Sequence, residues 1–346
     1  MKKFYPSALL AMACIFLVGC GSVNTKTEEG MQQISALQYS DALVLFDDAQ
    51  KAGENPRLIA RGRGIAYLGQ TDYEAARDAF LESLSLSKGI VGDVDFDINY
   101  YLADAYIGLG DYESAEETYT AIIGLEKEPR AYYLRGKVRL LMESYTLAKE
   151  DFDRAVQLSP KDIEMFINIY KALADNGYTQ AGEEYLNFAL SEGGKTISSL
   201  NEGKIYYYLG RYQTAAASLE EARSANGDDA EASLYLGRSY EAVGEYNYAS
   251  NVYESYLARK PDAAAVYNQL ALCKMAMGDY EGALESIQSG MQTGDQTCMK
   301  SLSFNEIVAY EYLGEFKKAQ ALINAYLDGY PADEEALREQ IFLQTR

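Results

Sequence analysis

The sequence predicts an all-α protein, a solenoid of about nine helix-turn-helix repeats closed by a C-terminal capping helix. Three observations predict it. An alanine recurs in a fixed local setting at Ala42, Ala76, Ala115, Ala148, Ala181, Ala215, Ala249, Ala283 and Ala319, at intervals of 34, 39, 33, 33, 34, 34, 34 and 36 residues. A period of that size marks a repeated supersecondary unit. Within a unit the apolar residues keep helical spacing, as at Leu102, Ala103 and Tyr106, so one face of each helix must be buried against another helix. The chain is 48% hydrophobic and 24% charged, which supplies enough apolar surface for a packed core.

The first element is an address. Lys2 and Lys3 precede an apolar run from Ser7 to Val18, followed by Gly19 and Cys20. A basic start, a short apolar core and small residues at the cut make a secretory signal, too short to remain as a spanning helix. The tetrapeptide Leu17-Val18-Gly19-Cys20 resembles the lipobox of bacterial lipoproteins. That resemblance implies removal of residues 1–19, a diacylglyceryl group on Cys20, a lipidated tether over 20–27, and a place outside the cytoplasm on the membrane of a bacterial cell envelope. Two acyl chains suffice for stable anchoring. The alternative is an ordinary cleaved signal in which Cys20 is incidental. With residues 1–19 removed, 29 basic face 52 acidic residues, a net charge of −23.

The repeats occupy residues 28–331. The run "YIGLGDYESAEETY", Tyr106 to Tyr119, returns as "YYYLGRYQTAAASL", "YEAVGEYNYASNVY", "KMAMGDYEGALESI" and "YEYLGEFKKAQALI". Gly110 and Gly244 suit the left-handed conformation that ends a helix, and Asp111 or Glu245 suits the start of the next. Tyr112 and Tyr246 are then placed to fill the space between neighbouring pairs.

In the seventh repeat the pattern is Gly237, Tyr240, Gly244, Glu245, Tyr246, Ala249, Tyr253 and Pro261, with Tyr256 at a small-residue position. In the fourth it is Gly136, Tyr145, Ala148, Phe152, Ala155 and Pro160, with Arg139 in place of an aromatic. This pattern resembles the tetratricopeptide repeat over nearly the whole mature chain. The resemblance implies a right-handed superhelix with a concave inner face.

Two intervals exceed the period. The longer contains "SKGIVGDVDFDIN", read as a lengthened acidic connection, and the shorter contains "TGDQTCMKS". Residues 332–346 are expected as the capping helix, with Leu337 and Ile341 sharing a face.

Composition narrows the function. A formal charge of −21 leaves no basic stripe to track phosphates, so nucleic acid is not expected as a partner. Histidine and tryptophan are absent, which removes imidazole general acid-base catalysis, His-activated nucleophiles and His-ligated metals. No carboxylate pair is singled out by its surroundings, and neither an enzyme nor a cofactor is expected. Asp93, Asp95 and Asp97 alternate like the start of a calcium loop, but Ile98 and Asp104 stand where that loop needs Gly and Glu. A solvated linker is the better reading, and no metal is expected. Cys273 and Cys298 are either a buried free thiol with a second thiol, or a disulfide.

The inner stripe of the first helices remains. The repeat spacing assigns to it Tyr100 and Asp104, Tyr133 and Lys137, Phe166 and Tyr170, Lys204 with Tyr207 and Tyr208, and Arg238 with Glu241. Aromatics there are expected to serve a partner rather than the core. Lys137, Lys204 and Arg238 form a local reversal of sign in an acidic chain. The Lys/Asn arrangement with which the family clamps a terminal carboxylate is missing. The expected function is a membrane-anchored scaffold that holds a protein or peptide, with a glycan or peptidoglycan strand on the tyrosine-lined groove as the alternative.

Overall fold

The structure is a computed structural model that describes residues 24–87, 89, 91–193, 197–331 and 333–346. The signal segment and Cys20 lie outside the described residues. Those residues form nineteen α-helices and no strand, about 80% helix in all.

Two compact units divide the chain. One contains residues up to Met165 with Asp175–Gly177, and the other contains Phe166–Ala174 with Tyr178–Arg346. The first unit is built from α1 (Thr25–Ser35), α2 (Tyr39–Lys51), α3 (Pro56–Gly69), α4 (Tyr73–Ser85), α5 (Asp93–Leu109), α6 (Tyr112–Leu125), α7 (Pro129–Leu141) and α8 (Tyr145–Leu158). Helix α9 (Ile163–Asp175) contributes residues to both. The second unit continues with α10 (Thr179–Gly193), α11 (Ser199–Tyr208), α12 (Tyr212–Ala225), α13 (Ala230–Ala242), α14 (Tyr246–Leu257), α15 (Ala264–Ala276), α16 (Tyr280–Gln292), α17 (Gln296–Tyr312), α18 (Phe316–Gly329) and α19 (Glu334–Leu343).

Each recurrent alanine falls in the second helix of a pair. Eight of the nine have no exposed surface, and Ala181 is partly buried. The core of each pair follows one size rule. Four residues after the alanine stands a large side chain, and the first helix opposes it with a small one. A Cβ added to Gly64 would come within 2.4 Å of Phe80, one on Gly136 within 2.6 Å of Phe152, and one on Gly237 within 2.2 Å of Tyr253. At Ile287 and Ile323 the opposing residue is Ala271 or Ile307, and all four are buried, whereas Leu219 keeps a glycine, Gly203, opposite it.

The turn between paired helices needs a left-handed residue. Gly110 ends α5 at φ 77°, the Asp111 N–H closes back onto the Tyr106 carbonyl at 2.9 Å, and the Asp111 side chain then accepts from the Ser114 N–H at 3.1 Å to start α6. Leu37, Thr71 and Glu143 hold the same conformation in three other repeats without being glycine. Between pairs, the Tyr39 and Tyr73 rings occupy the space left by Gly69 and Gly108 of the following first helix.

One sequence expectation is corrected. The acidic run is not a solvated linker, because Asp93 opens the 17-residue helix α5. Asp95 is buried and accepts from Arg57, Ser87 and the Gly92 N–H, while Asp97 pairs with Arg61. On α19 Ala336 and Leu343 are buried, and Leu337 and Ile341 are exposed. Arg139, in the place of an aromatic, clamps the buried Asp151 together with Arg135.

Candidate functional site

The first-helix stripe has a different character in each unit. In the first unit it spans α5 and α7. Tyr100 is buried, donates its hydroxyl to Glu128 at 2.6 Å, and lies 4.3 Å beneath the Arg130 guanidinium. Tyr133 is partly exposed and packs its ring 6.1 Å from Phe152. The Lys137 ammonium stands 5.8 Å from the Tyr133 ring.

Asp104 and Lys137 occupy the same repeat position, eleven residues before Ala115 and Ala148. Burial pushes the Asp104 carboxyl up to about 6, against the opposing pull of Lys137 and Arg130. Burial lowers the Lys137 ammonium, against the support of Asp104 and Asp175. Both side chains remain partly exposed.

In the second unit the stripe is a tyrosine cluster on α9, α11 and α13. Tyr207 stands edge-on to Tyr208 at 5.4 Å and to Tyr235 at 5.3 Å, and Tyr170 lies 5.7 Å from Tyr208. The Tyr208 and Tyr235 hydroxyls share a 2.7 Å hydrogen bond. Lys171 sits 4.8 Å above the Tyr208 ring and Arg238 5.8 Å above Tyr235. Glu241 accepts from the Tyr253 hydroxyl at 2.8 Å and from the Gln269 amide at 3.0 Å, and burial raises its carboxyl in spite of both.

Three predicted site residues are not surface groups. Tyr100 and Phe166 are core, the latter fully buried beside Phe188 at 6.1 Å. Lys204 is only 1% exposed and bonds Glu231 at 2.6 Å. Its charge is therefore compensated, and Arg238 also has a carboxylate neighbour in Glu241, so the expected reversal of sign is weaker than the residue types imply. Asp104, Tyr133, Lys137, Tyr170, Tyr207, Tyr208, Arg238 and Glu241 keep partial exposure.

Sequence reasoning missed Tyr119 and Tyr235. Tyr119 did carry a signal: Phe46, Phe80 and Phe152 fill its position in other repeats, so its hydroxyl is an addition the packing does not require. Tyr235 carried none.

Among the described residues no group of three or more His, Cys, Asp or Glu side chains is placed to hold a metal. Cys273 and Cys298 are both free thiols. Cys273 is buried with its thiol pushed up to about 12, and it donates to the Tyr246 carbonyl at 3.4 Å.

Two tetratricopeptide-repeat family models match the chain, over residues 100–163 and 206–268. Together with the helix pairs described above, they define the fold as an all-α tetratricopeptide-repeat solenoid. No curated protein sequence matches the chain. Among solved structures it is similar to a tetratricopeptide repeat protein from Parabacteroides merdae, at 13% identity and a TM-score of 0.48, over 84% of this chain and 99% of that one. The human IFIT1 dimer with PPP-AAAA shares 16% identity at a TM-score of 0.43, over 95% and 87% of the two chains. MamA shares 19% identity at a TM-score of 0.39, over 48% of this chain and 95% of its own.

Proposed function

We propose that this protein is a lipid-anchored, extracytoplasmic scaffold at a bacterial cell envelope, holding a protein or peptide partner against the first-helix stripe of its repeats. The observation that carries the reading is a set of partly exposed rings and cations in each unit, Tyr133 and Lys137 in the first and Tyr170, Tyr207, Tyr208 and Arg238 in the second. Aromatic rings and guanidinium groups are enriched where partners bind most strongly. Tetratricopeptide-repeat folds are in general non-catalytic scaffolds for protein and peptide partners. Membrane attachment rests on the Leu17-Val18-Gly19-Cys20 motif alone.

Crosslinking the anchored protein in its own cells tests the reading. Lys137→Glu combined with Arg238→Glu is expected to reduce recovery of the partner with helicity unchanged, while the same reversal at exposed Lys127 and Lys317 has no effect. Equal loss from both pairs of changes would remove the stripe from the account. Retention on cell-wall material with no protein recovered would favour the glycan alternative. Cys20→Ala is expected to release the chain from the membrane fraction; a wild-type chain found unlipidated in the medium would contradict the anchor.

A further inference from the structure

The first-helix stripe of the second unit carries one cation more than the alanine spacing assigns. Gly177 turns the chain between α9 and α10 at φ 85°, with the Tyr178 N–H on the Leu173 carbonyl at 2.8 Å, as Gly110 does between α5 and α6. Counted back six residues from its turn glycine, Lys171 holds the position that Lys204 holds before Gly210 and Arg238 before Gly244. Three consecutive first helices, α9, α11 and α13, therefore carry a cation at the same place within one unit.

These cations are not balanced one for one. Lys204 is buried and bonds Glu231 at 2.6 Å. Glu241 acts on Arg238, but it takes its hydrogen bonds from Tyr253 and Gln269. Among the described residues Arg238 makes one hydrogen bond, from Nε to the Gln269 side-chain oxygen at 3.3 Å. Lys171 makes no ion pair among them, and its ammonium rests 4.8 Å from the centre of the Tyr208 ring. Asp175, one turn further along α9, acts on Lys137 and Tyr133. Lys171, Lys204 and Arg238 thus face Glu231 and Glu241, an excess of one positive charge in a chain of net charge −21.

A neutral donor lies beside the two cations. The Tyr208 and Tyr235 hydroxyls share one hydrogen bond at 2.7 Å, which uses one of their two hydrogens and leaves the other to donate. Each ring of the pair has its own cation, Lys171 against Tyr208 and Arg238 5.8 Å from the centre of Tyr235. Packing does not ask for Tyr208, because Gly69, Gly108, Ala242 and Ala276 hold its position in four other repeats. Lys171, Tyr208 and Arg238 are partly exposed.

We propose that Lys171, Arg238 and the Tyr208–Tyr235 hydroxyl pair bind a carboxylate of the partner peptide, the two cations and the remaining hydroxyl hydrogen donating to its oxygens. This rests on the reading that the first-helix stripe binds a peptide, and it names the group recognised there. The site offers donors and one unmatched positive charge, so a cationic ligand is repelled and a neutral amide leaves the charge unmatched. A carboxylate brings acceptors on two oxygens and a single negative charge. A phosphate dianion would overshoot the balance. The source is an Asp or Glu side chain or the terminal carboxylate of the partner.

The test needs no native partner. The full chain carrying ¹³C-tyrosine is titrated with acetyl-Leu-Glu-Leu-amide, acetyl-Leu-Gln-Leu-amide, acetyl-Leu-Gln-Leu with a free terminal carboxylate, and inorganic phosphate, and the Tyr208 and Tyr235 ring signals are followed by NMR. A saturable shift with the glutamate amide and not with its glutamine counterpart assigns a side-chain carboxylate. One with the free-terminus peptide alone assigns a terminal carboxylate, and equal responses to both carboxylate peptides assign the group whatever its source. In each case Lys171→Gln and Arg238→Gln are expected to weaken binding about tenfold, the worth of one charged hydrogen bond, while Lys127→Gln at an exposed site leaves it unchanged. The wild-type signals decide the matter even if a variant misfolds. Equal shifts with the glutamate and glutamine amides would overturn the carboxylate and leave the stripe a peptide site. A response to phosphate alone would overturn the assignment to a carboxylate. No saturable shift with any peptide would overturn this site alone, because the crosslinking experiment reads capture of a whole partner and can succeed without it.

Discussion

Repeats 3 and 7 each place a tyrosine four residues after the recurrent alanine, and they treat its hydroxyl in opposite ways. In repeat 7 the Tyr253 hydroxyl donates to Glu241, which also accepts from Gln269. In repeat 3 the Tyr119 hydroxyl makes no hydrogen bond of ordinary geometry and has the Asp104 carboxylate as its neighbour. Tyr253 opposes Gly237 and Tyr119 opposes Ala103, and all are buried. One network is closed and serves stability. The other leaves a buried hydroxyl and a desolvated carboxylate poorly matched, which costs free energy.

Breaking the closed network is expected to have the largest effect. Tyr253→Phe removes a donor from the partly exposed Glu241 carboxylate and should lower stability by about 1–3 kcal/mol, whereas Tyr119→Phe removes a hydroxyl with no hydrogen bond of ordinary geometry and should cost less. Hydrogen exchange of the α13–α14 and α5–α6 amides reads both. A larger loss from Tyr119→Phe than from Tyr253→Phe would reverse the comparison.

Asp104→Asn sharpens it from the other side. The Asp104 carboxyl is held at about 6, above its ordinary 3.8, mainly by burial. The folded chain therefore binds a proton that the unfolded chain does not between about pH 4 and 6, and wild-type stability from this group is lost as pH rises through 6. Replacing the charge with a neutral isostere should raise stability on the order of 1–2 kcal/mol at pH 7, with the gain fading toward pH 4. Denaturation at pH 7 and pH 4.5 checks the sign.

The smallest effect is a control on the turns. Glu143 holds φ 59° where repeats 3 and 7 have Gly110 and Gly244. Glu143→Gly relieves that strain and should raise stability by roughly 0.5–1 kcal/mol, the left-handed penalty less the added freedom of glycine when unfolded. Thermal unfolding measures it.

The repeat period made the fold legible, since an alanine every 34 residues fixes both the pairing of helices and the place of each turn. It also fixed the side of each first helix on which a residue stands. It did not fix depth. Lys204 shares a repeat position with Lys137, but it is sealed by its bond to Glu231 and by the Tyr235 ring 5.5 Å from its ammonium. Those neighbours come from the next repeat, about one period away in sequence, so a pattern read within one unit cannot reveal them. Tyr100 was misplaced for the same reason, with Glu128 and Arg130 against it, whereas Phe166 packs on Phe188 of its own repeat. The acidic run at Asp93 misled differently: its partners Arg57 and Arg61 lie on α3, and pairing with them allows the run to begin a helix.

The central claim is that burial, only partly offset by its neighbours, sets the state of the Asp104 carboxyl in repeat 3, whereas hydrogen bonds close the network of repeat 7. It is tested most directly by following the Asp104 carboxyl carbon by NMR through a pH titration. The account predicts a midpoint about 6, raised by burial. An ordinary carboxylate midpoint would contradict it.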